Sequence, residues 1–285
     1  MRWRRATVDD LADVHRILTA DAGGPPGPAE DLLPLLREWH VELGTGDTGP
    51  DAVVAFLRPP PEHGRGYGAW WPKPSDPALA KLIDLARRYG VSVLQVTLDD
   101  DRPDARERCL AHGFDAAFPL WSMAHDGATW PSTRTLPVPL RLVSWDELAP
   151  GAFQRAYEAA YADQRIVEPH SAETWAGILA HGALHRDVTA IALDPDDQVA
   201  GFVLAFGLDT NADLGPIGTV PAWRRRGISD ALLALALDRC RENSLAPITL
   251  TVDGASPTGA QNLYLRAGFV VERSHHAYQF RFDGQ

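Results

Sequence analysis

The sequence has few of the residues that hold together small secreted or metal-binding folds. Among its 285 residues there are only two cysteines, Cys109 and Cys240. Both fall in segments with helical patterning, which argues against a disulfide framework and against a metal site. His275 and His276 are adjacent, with no further ligand at metal spacing. We therefore expect no bound metal.

Long apolar runs are also missing. No stretch of about 18 uncharged apolar residues occurs, which excludes an ordinary membrane-spanning helix. The first residues lack the apolar core of a secretory signal. The sequence therefore predicts a cytoplasmic protein with no membrane partner.

Basic charge is scarce, and only two of the basic residues are lysines. The chain has 27 Lys and Arg against 38 Asp and Glu, giving a formal net charge of −11. A nucleic-acid partner is disfavoured because a phosphate backbone requires a basic face. A cationic amine is a better match to this field, although acidity also serves solubility alone.

An arginine- and glycine-bearing turn stands out against this acidic background. The strand-like run Leu214 to Val220 leads into Arg224-Arg225-Arg226-Gly227-Ile228-Ser229, and a helical pattern follows. The first N–H groups of a helix have no partner inside the helix and carry partial positive charge, so they can hold a phosphate group. The alternative is a solvated basic turn that caps a surface helix.

A second segment follows at a matching distance along the chain. Ile248 to Asp253 alternates like a strand, and Thr258 to Ala267 has the pattern of a helix. Gly268-Phe269 ends that helix and begins a last strand that continues through Phe282.

Together these two segments resemble the cofactor-binding core of the GNAT superfamily of acyl-CoA-dependent N-acetyltransferases. The motifs are the Arg224 to Ser229 turn and Leu263-Tyr264-Leu265-Arg266-Ala267-Gly268-Phe269, each present once and in the family's order. Ser229 replaces the usual Gly or Ala, and Ser256 stands where the family commonly has Asn. The resemblance implies acetyl-CoA as co-substrate, bound by Gly218, Thr219, Val220, Arg224, Arg225, Arg226, Gly227, Ile228, Ser229 and Ser256.

The resemblance also implies two catalytic residues. Tyr264 would be the general acid that protonates the departing thiolate, and Asp213 the base that takes the ammonium proton, directly or through water. Strand alternation would place Asp213 on the same sheet face as Gly215 and Ile217. Otherwise Tyr264 is a packed aromatic beside Phe269, and Asp213 a solvent-facing strand start. Rival bases are His170, His181 and His185.

The acceptor would be recognised by the region after the first helix of the C-terminal half. The candidates for binding a polar cationic amine through carboxylate and aromatic faces are Tyr161, Asp163, Glu168, His170 and Trp175. They also fit an ordinary helix pair, Ala152 to Ala162 and Ala172 to His181, with solvated charges.

The two halves of the chain look alike. Val93 to Phe114 and Ile248 to Phe269 align without a gap at an offset of 155 residues, which indicates an internal duplication. The segment 129–139 is rich in Pro, Ser and Thr and predicts a linker between residues 1–128 and 140–285. We expect an α/β (α+β) fold of two tandem GNAT-like domains, each a mixed, mostly antiparallel sheet flanked by helices.

The first copy has lost the phosphate-binding turn. The offset places Pro72 opposite Gly227 and Pro74 opposite Ser229, and proline has no N–H to donate. Cys109 stands opposite Tyr264. We expect residues 1–128 to be structural or to wall the acceptor cleft, unless Gly64 to Trp71 forms a different site with stacked indoles.

These features predict an enzyme that acetylates the primary amine of a small molecule, as a monomer or homodimer. The tandem arrangement resembles the mycothiol synthase family, which would make an aminosugar-cysteine compound an alternative acceptor. A peptide or protein N-terminus is another, and a non-catalytic acyl-CoA-binding module is the competing class.

Overall fold

A computed structural model describes residues 1–22, 28–57, 64–132, 134–148, 151–164, 175–176, 184–207 and 210–282. The chain divides into two compact units. The first unit comprises Met1–Phe118 and His275–Gln285, and the second comprises Pro119–Ser274. Each unit is described below by itself.

Helices and strands alternate along most of the described chain. The α-helices are α1 Leu11–Ala22, α2 Leu33–Glu38, α3 Asp76–Arg88, α4 Pro103–Ala111, α5 Ala152–Tyr161, α6 Ile228–Glu242 and α7 Ala260–Arg266. The strands are β1 Arg2–Arg5, β2 His40–Gly46, β3 Gly49–Leu57, β4 Arg65–Trp71, β5 Val93–Asp99, β6 Asp115–His125, β7 Arg141–Val143, β8 Ala190–Leu193, β9 Val199–Phe206, β10 Ala212–Thr219, β11 Ile248–Asp253 and β12 Phe269–Arg281.

The first unit has strand order β1-β2-β3-β4-β5, followed by the last part of β12. All of these pairs are antiparallel except β4 with β5, which are parallel and joined through α3. Helix α3 begins where the Ser75 hydroxyl accepts a hydrogen bond from the Ala78 amide, an N-cap. Its apolar face, including Leu79 and Leu82, joins the core cluster that contains Val54 and Phe56.

The second unit repeats this arrangement with strand order β7-β8-β9-β10-β11, followed by β6. Only β10 and β11 are parallel, and α6 joins them. Strand β9 is buried on both faces. Its alternate side chains point to opposite sides of the sheet, and a different cluster covers each side. Val203 packs in the cluster with α6, and Phe202 packs in the cluster with α5. The expected fold class is confirmed.

The sixth strand of each unit comes from the other half of the chain. Residues His275 to Arg281 of β12 pair with β5 in the first unit. Residues Leu120 to Ala124 of β6 pair with β11 in the second unit. The two compact units therefore meet at 118/119 and 274/275, while the domain boundaries at 128 and 140 stay a prediction from the sequence.

The expected linker, residues 129–139, forms no helix or strand over its described part. It nevertheless belongs to the second unit, where Trp130 and Leu136 pack against the core cluster of α6. The Trp130 ring also lies under the Arg241 guanidinium, 5.1 Å from the ring centre. The Pro- and Thr-rich composition predicts irregular backbone here. The apolar side chains Trp130 and Leu136 pack this irregular segment against the core cluster of the second unit.

Candidate functional site

The parallel strands β10 and β11 separate after two paired positions. They pair at Ala212 with Ile248 and at Asp213 with Thr249, and both strands then continue for several residues. A cavity of about 810 Å³ lies beyond the last pair, lined by residues from the ends of both strands. Ten of the residues expected to act in the site line it: Tyr161, Gly218, Thr219, Arg224, Arg225, Gly227, Ile228, Ser229, Ser256 and Tyr264.

The start of α6 forms one end of this cavity. Gly227 precedes the helix with a φ of 78°, the left-handed conformation that glycine adopts without steric cost. Arg225 is also left-handed, with a φ of 65°. The first intrahelical bond runs from the Ala231 amide to the Gly227 carbonyl. The amides before Ala231 therefore have no acceptor within the helix, and this end can hold an anionic group.

The turn is tied to β10 and to α5 by side chains. The Ser229 and Thr219 hydroxyls lie 2.7 Å apart. The Arg224 guanidinium donates to both oxygens of Asp163, at 2.6 and 3.0 Å, and to the Ala160 carbonyl at 2.9 Å. This ion pair lowers the pKa of the Asp163 carboxyl. Arg224 thus braces the turn with its side chain.

Two other residues of the expected cofactor set lie beside the cavity. The Arg226 guanidinium stacks over the Trp223 ring, 4.6 Å from its centre. Val220 packs against the α5 cluster. Neither is among the residues that line the cavity. Their side chains stabilise the turn and the strand end.

Tyr264 lies on α7 and lines the cavity although only 6% of its surface is exposed. Its ring packs edge-on against Phe269, with centres 6.2 Å apart. Burial raises the pKa of the Tyr264 phenol, so the hydroxyl stays protonated at neutral pH. Tyr264 therefore packs against Phe269 and also lines the cavity.

Asp213 lies at the last paired position of β10 and β11, at the closed end of the gap. Its carboxylate accepts a hydrogen bond of 2.9 Å from the Thr249 hydroxyl, and the residue is exposed. Although the residue is exposed, partial desolvation of its carboxylate raises the pKa of Asp213, and the Thr249 hydrogen bond partly opposes this. Asp213 is not among the residues that line the cavity.

A bulge breaks the alternation that was expected along β10. The register with β9 shifts between Leu214 and Ile217. Both of these side chains contact the same apolar cluster, so alternation does not carry across the intervening residues. The expectation that Asp213 shares a face with Ile217 by simple alternation is therefore wrong.

Ser256 forms part of a tight turn after β11. Its hydroxyl lies 2.9 Å from that of Thr258, and its amide donates to the Asp253 carbonyl. Asp253 is fully buried and accepts a hydrogen bond from the Ala255 amide. This turn places Ser256 in the cavity wall, ahead of α7.

The acceptor candidates have different positions. The Tyr161 hydroxyl accepts the Ile217 N–H at 3.0 Å and donates to the Ile217 carbonyl at 2.8 Å. Trp175 is 5% exposed and packs edge-on against Phe153 and Tyr157. Trp175 therefore contributes to the α5 core. Glu168 lies outside the described residues.

Of the rival bases, His170 and His181 also lie outside the described residues. His185 donates from Nε2 to the Asn211 carbonyl at 3.0 Å and is not among the residues that line the cavity. Within the described part of the chain, no group of three His, Cys, Asp or Glu side chains is arranged to hold a metal ion. No helix among the same residues is long and apolar enough to cross a membrane.

Sequence reasoning placed Asp163 among the acceptor-binding candidates and did not single out the Ile217 backbone, so it missed the contacts that both make in the site. Asp163 holds Arg224, and the Ile217 peptide holds Tyr161. The residues in each of these pairs are 61 and 56 positions apart in sequence. Only the position of Asp163, two residues beyond a candidate tyrosine at a helix end, gave a signal. The Ile217 peptide carried none.

The matching turn of the first unit is built differently. Lys73 follows Pro72 there, and its ammonium lies 5.5 Å from the ring centres of both Trp70 and Trp71. Desolvation lowers the pKa of Lys73. Cys109, opposite Tyr264 in the repeat, is fully buried, and burial raises its pKa to about 12.

Comparison with known proteins gives a family match for the second half of the chain and one relative along most of its length. Residues 148–269 match the model of the Acetyltransferase (GNAT) family. Mycothiol acetyltransferase from Clavibacter michiganensis is 26% identical over 294 residues, covering 93% of this chain and 91% of the relative.

Solved structures show the same fold over the whole chain. A GCN5-related N-acetyltransferase from Sphaerobacter thermophilus superposes with a TM-score of 0.80 at 20% identity, covering 100% of this chain and 96% of the other. A tandem GNAT protein from the clavulanic acid biosynthesis pathway superposes with a TM-score of 0.70 at 14% identity, covering 100% and 99%.

Proposed function

Because residues 148–269 of this chain match the model of the Acetyltransferase (GNAT) family, we propose that the protein transfers an acetyl group from acetyl-CoA to a primary amine of a small molecule. The observation that carries this proposal is the cavity between the diverging ends of β10 and β11. It joins the first turn of α6 to the buried phenol of Tyr264.

The residues of this cavity fit the donor. The Arg225 to Ser229 turn and the first amides of α6 would hold the diphosphate. The edge of β10 between Ile217, whose backbone groups bond to Tyr161, and the turn would pair with the pantetheine arm. Ser256 would bind near the arm from the opposite strand end. The volume is within the usual range of roughly 300–1,000 Å³ for small-molecule sites. Bound acetyl-CoA supplies the thioester.

Tyr264 and Asp213 would manage the two protons of direct transfer. The buried Tyr264 phenol is held protonated and would donate to the thiolate as the carbon–sulfur bond breaks. Asp213 would accept the proton of the attacking amine through water, since its carboxylate lies at the closed end of the gap and is exposed. Its raised pKa makes it a stronger base.

Acceptor recognition would involve the ring of Tyr161, whose hydroxyl is occupied by the Ile217 peptide. Glu168 is a further candidate for binding an ammonium group. The net charge of −11 favours a cationic amine over an anionic one. Within this charge, the three arginines of the turn are a local exception that suits an anionic donor.

A second candidate acceptor is an aminosugar-cysteine compound. It is favoured by the match to a mycothiol acetyltransferase along 93% of this chain. The match runs through both units and is not confined to the cavity that binds the donor. At 26% identity, turnover of a simple primary amine and turnover of an aminosugar-cysteine compound need to be compared directly.

Replacement of Tyr264 tests the assigned chemistry. Tyr264→Phe should lower turnover by roughly 10²- to 10⁴-fold while coenzyme A still binds, because the ring remains and only the proton donor is lost. Thiol release measured against a panel of amines, together with calorimetry, separates the two effects.

Tyr278→Phe is the matched control, since Tyr278 is a 4%-exposed tyrosine of the first unit. It should leave turnover unchanged. If Tyr264→Phe acetylates an accepted amine at the wild-type rate, Tyr264 is not the acid. If coenzyme A gives no binding heat with the wild-type protein, the proposed function is wrong.

A further inference from the structure

The Ile217 peptide faces the open side of β10. Ile217 is aligned with Val203 of β9, but its N–H and C=O both bond to the Tyr161 hydroxyl. In an antiparallel pair, alternate residues turn these groups away from the partner strand. The pairing of β10 with β11 ends at Asp213. Tyr161 therefore fills the place that a neighbouring strand would take at Ile217.

The Tyr161 ring is held firmly in that place. It stacks on Tyr157 with ring centres 4.7 Å apart, and on Phe202 at 6.4 Å. Both neighbours belong to the buried α5 cluster. Moving the ring would break two hydrogen bonds to Ile217 and the stacking together. Tyr161 is thus a rigid part of the cavity wall.

Along β10, the residue that bonds Tyr161 lies farther from the start of α6 than Thr219 does. From the start of α6, β10 is followed backward through Thr219 to Ile217, where Tyr161 is bonded. Tyr161 and Tyr264 both line this cavity. A donor with its diphosphate at α6 and its sulfur at Tyr264 would have its acyl group in the part of the cavity that Tyr161 lines.

We propose that Tyr161 determines acyl specificity, its fixed ring leaving room for an acetyl group and excluding longer acyl chains. The inference rests on the proposed function, because it uses the direction in which acyl-CoA would lie. It gives the ring of Tyr161 a role on the donor side of the reaction, in addition to the acceptor contact proposed above.

Relative affinity for acetyl-CoA and butyryl-CoA tests the proposal without a known acceptor. Calorimetry on the wild-type protein should show roughly 100-fold tighter binding of acetyl-CoA, since each methylene that does not fit costs about 10-fold or more. Tyr161→Ala should reduce this preference by at least about 10-fold. A general loss of packing would weaken both affinities equally and leave their ratio unchanged.

Tyr161→Phe is the matched control because it removes the two hydrogen bonds but keeps the ring. Its ratio should stay within about 3-fold of wild type, since ring volume and not the hydroxyl excludes the longer chain. Should Tyr161→Ala fail to fold, Tyr161→Leu keeps an apolar side chain in the α5 cluster and should shift the ratio in the same direction.

The outcomes separate this inference from the proposed function. If the wild-type protein binds neither thioester, both are wrong. If it binds acetyl-CoA and butyryl-CoA equally, or if the ratio is unchanged in the alanine or leucine variant, only the role of Tyr161 is wrong.

Discussion

Asp213 offers a test at the level of a single proton. A base works only when deprotonated, so activity should rise with pH through the pKa of Asp213, which desolvation has raised. The Thr249 hydroxyl donates to the carboxylate and so favours its charged form. Thr249→Val should therefore move the acidic limb of kcat/KM to higher pH, by about half a unit to one unit.

The control is Thr251→Val, which makes the same change two residues along β11 and leaves the Asp213 hydrogen bond in place. Its acidic limb should match wild type. Asp213→Asn should remove that limb and lower kcat roughly 10²-fold or more. A profile that keeps its limb in Asp213→Asn identifies another group as the base.

Single residues in this site divide into those that a motif reveals and those that only the fold reveals. The sequence motifs singled out Gly227 and Tyr264, which both line the cavity, because each occupies a fixed position relative to a helix end. The bracing of Arg224 by Asp163 was not, because a motif does not specify what a long side chain bonds to. The use of the Tyr161 hydroxyl was missed for a similar reason, since its partner is a backbone peptide.

At the scale of elements, the approach of β10 to its neighbours depends on glycine. A Cβ at Gly218 would lie 2.6 Å from the Phe202 ring and 3.0 Å from the Ala160 Cβ. Gly218→Ala should therefore push β10 away from β9 and α5 and destabilise the second unit by about 1–3 kcal/mol. Urea denaturation measures the loss.

Gly215 is the matched control on the same strand, since no atom lies within 4 Å of a Cβ built there. Gly215→Ala should change stability by no more than about 0.5 kcal/mol. Equal effects of the two substitutions would mean that backbone freedom, and not close packing, explains the glycines of β10.

The elements themselves were largely predictable, and their pairing was not. Strand β11 has the predicted bounds, Ile248 to Asp253, and α7 lies inside the predicted Thr258 to Ala267. Local periodicity determines such elements. The pairing of His275 to Arg281 with β5 joins residues about 180 positions apart, and periodicity carries no information on that choice. The sequence-based boundaries at 128 and 140 therefore take no account of this pairing and stay a prediction.

At the scale of the whole molecule, the two units share a topology but differ at the turn that would bind a phosphate. In the second unit the turn contains Gly227 and leads into the free amides of α6. In the first unit, Pro72 and Pro74 remove donors, and the Lys73 ammonium lies over two indoles. The first unit therefore repeats the sheet without the turn that would bind a phosphate.

We expect one molecule of coenzyme A per chain as a consequence. Calorimetry should give a stoichiometry of one, and Gly227→Val should weaken that binding about 10-fold or more, because a β-branched residue is strained at a φ of 78°. No atom lies within 4 Å of a Cβ built at Gly227, so the loss would come from the backbone and not from a clash. Lys73→Met, at the matching turn of the first unit, should leave both affinity and stoichiometry unchanged. Two binding events in the wild-type protein would place a donor in each unit. A single event that survives Gly227→Val and disappears with Lys73→Met would place the donor in the first unit.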